Sequence, residues 1–426
     1  MNKTMVITRK MKLRVKLDKE KFKTPEERKE EINRVYQFIR DGQYAQYLGL
    51  NMLMGQISSL YYKYNRDISN EEFKKEQREI FLKTNSNLDE INFATGTDTR
   101  SIIGQKVRQD FSAMLKNGLA KGERSISNYK RTFPLLINGR NLNFYHEYDN
   151  ISTLNDKLYE NDLKIYIKFV NKIQFEVVLG NPYKSRELRS TLYKIIDGTY
   201  KVCQSKISVV ENDIILWLSI QIPIKQLELD KNTTVGVKLG EMVTGTCVCN
   251  KHPQTPYLVG NAEELLRVKT QLKKQRSRIQ SHLKYAKGGH GRKRKLKAYD
   301  KLSKREGSFV QNYNHNISKE IVEFAKRNKA SKIILEDLTS YKDDEFLSMQ
   351  WTYSQLQECI KYKALKNGIE VIFSKVSLSD FIDKETKEYL NDENLDKKER
   401  LLKKKEIEMK IASYLSMLSI DKVSKK

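Results

Sequence analysis

The chain has 426 residues, enough for two or three domains that each bury a core. It carries 80 Lys plus Arg against 54 Asp plus Glu, a formal charge of +26, an excess that suits a polyanionic partner without separating RNA from DNA. No apolar run approaches the ~18 residues of a membrane span, no apolar segment follows Met1-Asn2-Lys3, and four unpatterned cysteines suit a reducing compartment, so a cytoplasmic protein without a membrane partner is expected.

In chain order, a partly alternating strand runs from Met5 to Leu17, with Leu13, Val15 and Leu17 set against Lys12, Arg14 and Lys16. Thr24-Pro25-Glu26-Glu27 supplies a capping threonine, an early proline and acidic residues, the marks of a helix start. Helical spacing holds from there to about Ala120, with Ile32, Val35, Tyr36 and Ile39 on one face and later Ile102, Val107, Phe111 and Leu115. Residues 125 to 229 switch to period two: Leu163, Ile165, Ile167 and Phe169 alternate with polar neighbours, as do Leu216, Leu218, Ile220 and Ile222, and Asn212-Asp213 reads as a hairpin turn. This order predicts a small β-barrel interrupted by a helical lobe. From about 230 onward strands alternate with helices, and no repeat of 20 to 50 residues is present.

The strongest physical signal is 271–305, where 14 of 35 residues are Lys or Arg and only Asp300 is acidic. Lys273, Lys274, Arg276, Arg278 and Lys284 precede Gly288, Gly289, His290 and Gly291, then Arg292, Lys293, Arg294 and Lys295. So charged a helix repels itself unless phosphates neutralise it, and the glycines would let backbone approach a phosphate chain; a solvated basic hairpin is the plain alternative. Lys121, Arg124, Asn128, Tyr129, Lys130 and Arg131 form a second patch, in which Tyr129 either stacks on a base or belongs to the core. Trp351 is expected to pack against the helix that follows it. The cysteines Cys203, Cys247, Cys249 and Cys359 have no zinc spacing, and His252 and His315 stand alone.

Two apolar strand patterns bear on catalysis: Val235-Gly236-Val237-Lys238-Leu239-Gly240, and Ile333-Ile334-Leu335-Glu336-Asp337-Leu338. Strands that bring carboxylates to one point of a sheet are the frame of RNase H-like nucleases, where two magnesium ions about 4 Å apart stabilise the attacking and leaving oxygens. Lys238 stands where such a carboxylate would be expected, and an ammonium repels divalent cations at short range. An ion pair between Lys238 and Glu336 in place of metal is the expectation; both facing solvent is the alternative.

These segments resemble the TnpB proteins of transposons and their relatives, the miniature type V CRISPR effectors. In that family the first strand reads Gly-Ile-Asp-Leu-Gly, so Lys238 takes the aspartate position while Leu239 and Gly240 are kept. Glu336-Asp337-Leu338, the Gly288–Arg292 segment, Trp351-Thr352-Tyr353 with its following helix, and Asn128-Tyr129-Lys130-Arg131 match in order. The resemblance implies an α+β multidomain fold. Its parts would be a wedge β-barrel over 1–22 and 125–230, a helical recognition lobe over 23–124, and an RNase H-like RuvC domain over 231–378 with a basic helical hairpin at 261–330. A divergent segment, 379–426, would replace the zinc ribbon; a dimer contact, a covering helix and disorder are all open for it. Glu408 is the nearest counterpart of the third carboxylate. The implied identity is a nuclease-dead RNA-guided repressor of the TldR type, not an enzyme, in the bacterial cytoplasm at the nucleoid. It would use a guide RNA, double-stranded target DNA beside a short adjacent motif, no zinc or catalytic magnesium, and optionally a second copy of itself. An active RNA-guided DNA endonuclease with an altered metal site, a guide-free DNA-binding repressor and a structural RNA-binding protein are the rivals.

Overall fold

Helix α1 (Pro25–Lys63) starts where the sequence places its signals: Thr24 caps the backbone N–H of Glu27, and the Glu27 side chain returns the bond to the Thr24 backbone. The computed structural model describes residues 4–18, 20–93, 97–240, 243–285, 289–337, 353–374 and 397–418. They fall into two units that meet in sequence at Pro223–Ile224, where the sequence reading placed a boundary after 230.

In the first unit α1 is followed by α2 (Glu71–Leu82), the short α3 (Thr84–Asn87) and α4 (Thr97–Met114). Leu50, Leu53, Met54 and Ile57 of α1 pack with Phe73, Leu88, Ile103, Val107 and Phe111 in one core, and burying each such side chain contributes about 1.5–3 kcal/mol. The strands are β1 (Thr4–Val15), β2 (Leu135–Ile137), β3 (Asn143–Tyr145), β4 (Tyr166–Lys168), β5 (Gln174–Val178), β6 (Lys201–Val202), β7 (Ser205–Val210) and β8 (Asp213–Pro223), with α5 (Ile151–Asp156) and α6 (Arg186–Ile196) between them. They pair antiparallel in the order β2-β7-β8-β1-β5-β4-β3, with β6 also on β8. The expected barrel is thus corrected to an open half-barrel: among the described residues β2 and β3 end the path unpaired with each other. The hairpin between β7 and β8 also shifts by one residue. Val210 pairs with Asp213, so Glu211 and Asn212 make the turn, Glu211 with a left-handed φ of 59°.

The second unit holds a mixed sheet of β9 (Asp230–Lys238), β10 (Gly245–Cys249), β11 (His252–Val259), β12 (Ala330–Glu336) and β13 (Glu370–Ser374), ordered β11-β10-β9-β12-β13. β9 pairs antiparallel with β10 and parallel with β12. The helices are α7 (Ala262–Lys284), α8 (Gly289–Arg327), α9 (Tyr353–Lys366) and α10 (Lys397–Met417). Strand alternation sorts the two sheet faces. Val235, Val237, Ile333 and Leu335 turn to one side and share a core with Ile321 of α8 and Leu356 and Ile360 of α9. Ile334 turns to the other side and meets Ile407, Ile411 and Leu415 of α10.

Candidate carboxylate site and nucleic-acid interface

The position of α10 depends on two glycines of the first strand pattern. A Cβ on Gly236 would collide with the backbone of Ala412 and Ser416, so glycine lets helix and strand approach closely, and the Thr234 hydroxyl donates to the Ser416 carbonyl. A Cβ on Gly240 would overlap the Glu408 carboxylate, which places Glu408 two residues beyond Lys238. Of the three possibilities left open for the C-terminal segment, its described part is a helix covering the sheet.

Register does the rest. Gly236 aligns with Ile334 and Val237 with Leu335, so Lys238 and Glu336 emerge side by side on the α10 face. Their side chains form the expected ion pair. Lys238, Glu336 and Glu408 are 8%, 1% and 7% exposed, so the pair lies in low dielectric where its attraction is strong and its desolvation costly. Around it, Gln357 Nε2 donates to the Glu336 carbonyl at 3.0 Å and Tyr353 Oη to the Gly240 carbonyl at 3.3 Å. Asp337 follows Glu336 just past the end of β12, its backbone N–H donating to the Ser374 carbonyl at 2.7 Å.

Two divalent cations require several carboxylate oxygens converging on a shared volume. Here an ammonium bonds to Glu336, and no three His, Cys, Asp or Glu among the described residues are placed to hold a metal. Cys247 and Cys249 are buried in β10, where burial pushes the Cys247 thiol up from its ordinary range. Cys359 Sγ lies 4.0 Å from His315 Nδ1.

The basic segment is an arm of two helices, α7 and α8. Lys273, Lys274, Arg278, Lys284, Arg292, Lys293 and Arg294 are exposed on it, and Lys295 is partly so. Arg276 is different: it pairs with Glu306 at 3.0 Å, both side chains largely buried, and so staples α7 to α8. The expected glycine loop is corrected too. Gly289, His290 and Gly291 begin α8, with Gly291 facing open space, so the backbone there is committed to helix. The His290 side chain, like Trp351, lies outside the described residues.

In the second patch Lys121, Arg124, Asn128, Lys130 and Arg131 are exposed. Tyr129 takes the core alternative. It donates to Asp110 Oδ2 at 2.7 Å, packs edge-on against Phe133 at 5.6 Å and receives an Asn51 clamp on its backbone N–H at 2.9 Å. Burial, then the Asp110 carboxylate, pushes its phenol well above the ordinary tyrosine range. Two aromatics of α1 that face solvent lie beside this patch: Tyr62, which lines a cleft with Arg124, and Tyr44, both hidden by the helical spacing. Arg131 stacks over the Tyr44 ring at 4.7 Å, at the mouth of a cleft of about 540 Å³ that Arg40, Gln43, Ser208 and Glu211 also line.

No family model matches the chain. It is 30% identical over 263 residues, 60% of each chain, to "CRISPR-associated endodeoxyribonuclease Cas12f1" of Sulfoacidibacillus thermotolerans. It is 29% identical over 186 residues to the Cas12f1 of Syntrophomonas palmitatica, covering 42% of this chain and 37% of that one. The matches thus span about 60% or less of the curated relatives' lengths. The chain's fold resembles that of Cas12f1 in a cryo-EM structure of its complex with sgRNA and target DNA, with TM-score 0.67 and 14% identity over 95% of this chain and 98% of that one. The chain is thus similar in sequence to Cas12f1 proteins over part of its length and shares the α+β fold of one. One expectation is overturned. The chain was expected not to be an enzyme, with a degenerate nuclease site, yet the three curated relatives are all named endodeoxyribonucleases, and their likeness gives no ground for setting this chain apart as inactive. No helix among the described residues is long and apolar enough to cross a membrane.

Proposed function

We propose that this chain is an RNA-guided DNA-binding effector. It carries a guide RNA, reads a short duplex motif beside its target, and leaves the remaining sequence to be read by guide pairing, as RNA-guided effectors do. The second unit would serve as an RNase H-like domain whose exposed α7–α8 arm holds nucleic acid by backbone and shape. That arm is the observation that carries the reading: exposed Lys and Arg along two helices of a fold shared with Cas12f1. Repression is the output proposed here, because an R-loop held over a promoter obstructs polymerase by occupancy alone and needs neither zinc nor magnesium to do so.

Cleavage is the second reading, favoured by the activity named for the relatives. Glu336 and Glu408 are the carboxylates at hand, and Lys238 would have to leave Glu336 before that carboxylate could serve a cation.

The test is purification of the full chain, sequencing of the RNA that comes with it, and footprinting on DNA matched to that RNA. The expected result is an RNA-dependent footprint that RNase abolishes, and a reporter promoter silenced only by the matched guide. A footprint that survives RNase overturns the guided reading in favour of a guide-free binder. Cleavage of the same DNA over time, with magnesium and with EDTA, measures the second reading, and Lys238→Asp should increase metal-dependent product.

A further inference from the structure

Arg189 is a fully buried arginine outside both patches. Burial lowers the pKa of its guanidinium, but the ordinary value is so high that it stays charged. It is held by four bonds: Nε to the Ser185 hydroxyl at 2.8 Å, Nη1 to the carbonyls of Leu158 at 3.0 Å and Glu160 at 2.7 Å, and Nη2 to the Gly180 carbonyl at 3.2 Å. Two loops, 157–162 and 180–185, are thereby tied to α6 from beneath. A guanidinium is suited to this because its donors lie in a rigid plane and reach several carbonyls at once.

Each loop carries an outward aromatic. Tyr159 lies in sequence between Leu158 and Glu160, two of the three residues whose carbonyls Arg189 grips, and is 48% exposed; Tyr183 is 92% exposed. The second loop is stiff in its own right. Gly180 adopts a left-handed φ of 67°, the Asn181 side chain accepts from the Tyr183 N–H at 3.0 Å, and Pro182 is buried. Arg186 stacks over Tyr159 at 5.0 Å, and Lys184 and Arg186 are both exposed. The acidic neighbours Glu160 and Asp162 lie near Lys157, at 3.8 and 4.0 Å.

We propose that Tyr159, Tyr183, Lys184 and Arg186 form a stacking platform for an unpaired stretch of the guide RNA, with Arg189 as the positioning residue that fixes its two loops. Flat aromatic faces beside cations bind bases whose faces are accessible. Duplex DNA hides those faces inside its stack, whereas RNA is recognised chiefly through unstacked bases in loops, bulges and ends. Holding the loops rigid before binding reduces the ordering cost of association. The inference rests on the guided reading above.

The experiment uses the full chain and the RNA sequenced from the wild-type preparation, transcribed and labelled, with single-stranded DNA of the same sequence as comparison. Tyr183→Ala should weaken RNA binding on the order of 10- to 100-fold, the usual cost of losing one aromatic stack, while Tyr183→Phe binds as wild type. Ultraviolet crosslinking should join RNA to the peptide containing Tyr183. Arg189→Lys should weaken binding and raise amide exchange across 158–160 and 180–185, and should add little to Tyr183→Ala, since both act through one platform. Because Tyr183 is so exposed, its replacement leaves folding intact even where Arg189→Lys does not. Wild-type RNA affinity in Tyr183→Ala overturns the platform while leaving the guided reading standing. A loss confined to the DNA strand overturns it in favour of displaced DNA. If the wild-type chain binds no RNA, the guided reading itself fails.

Discussion

Replacing Lys238 by methionine tests the energetics of the buried pair. Methionine keeps the volume and removes the charge, leaving the Glu336 carboxylate, whose side chain is 0% exposed, without its counter-charge. Breaking one side of a buried pair costs about 3–5 kcal/mol, or roughly two to nearly four decades in an opening equilibrium at 1.36 kcal/mol per decade. Glu336→Gln should cost less, because the Lys238 side chain is 10% exposed and a long ammonium stem can swing its head toward water. The double replacement Lys238→Met/Glu336→Met removes both charges and should return to within about 1 kcal/mol of wild type or exceed it, as buried pairs exchanged for packed apolar groups do. Amide exchange by mass spectrometry, read on peptides covering 233–238 and 332–336, reports the opening of β9 and β12 directly. If the double variant shows the sum of the losses of Lys238→Met and Glu336→Met made singly, the charges are uncoupled and the ion-pair account of this site is refuted.

Three further outcomes are expected. Lys273→Ala, Lys274→Ala and Arg278→Ala together should flatten the dependence of log affinity on log salt by about 0.7–0.9 for each phosphate no longer neutralised, whereas Arg276→Ala, which frees α7 from Glu306, should change arm stability more than the slope; slopes measured by anisotropy between 50 and 300 mM salt separate the two. Gly236→Ala should drive α10 off β9, at about 1–3 kcal/mol or more for a methyl forced into packed backbone, read as new protease cuts within 397–417; an unchanged digest counts against the close approach. The Glu147 carboxylate is held below its ordinary range, chiefly by the hydrogen bond from Lys16. A depressed folded pKa stabilises above the unfolded value of about 4.3 and loses that stabilisation as pH falls through the folded value, so the protection factor at β3, exchange corrected for the intrinsic amide rate at each pH, should fall modestly on acidification below about pH 4, and Glu147→Gln should remove that step.

Elements with periodic sequence were legible. The capping box at Thr24, the alternation of β1 and β8, and the basic arm all follow from local patterns that the packing respects. The openness of the half-barrel was not, because alternation tells which side of a strand is buried but not whether the sheet's two ends meet. Tyr129 and Tyr44 show the same limit in side chains. Sequence put Tyr129 among cations and Tyr44 in an ordinary helix, yet the Asp110 bond draws the first inward and the cation of the expected patch, Arg131, stacks over the second. Tyr183 escaped altogether, since it sits in an aperiodic loop tied down by Arg189, 6 residues on in sequence, through a contact invisible until the carbonyls of two loops converge on it.

The carboxylate site shows how one strand can encode more than its own fold. Alternation along β9 sends Val235 and Val237 into the core shared with α8 and α9, and reserves Thr234, Gly236 and Lys238 for the face that α10 covers. The same small residues that admit the helix thereby bring Glu408 beside the end of the strand, and parallel pairing with β12 brings Glu336 to Lys238. A charge change at 238 therefore acts within a scaffold whose glycines and register do not depend on it. For that reason Lys238→Asp should keep the pairing of β9 with β12 while setting three carboxylates close together. Their mutual repulsion would raise affinity for a divalent cation, measurable as manganese binding by the full chain whether or not DNA is cut, and the absence of any gain in manganese affinity over wild type would show that Glu408 does not share the site.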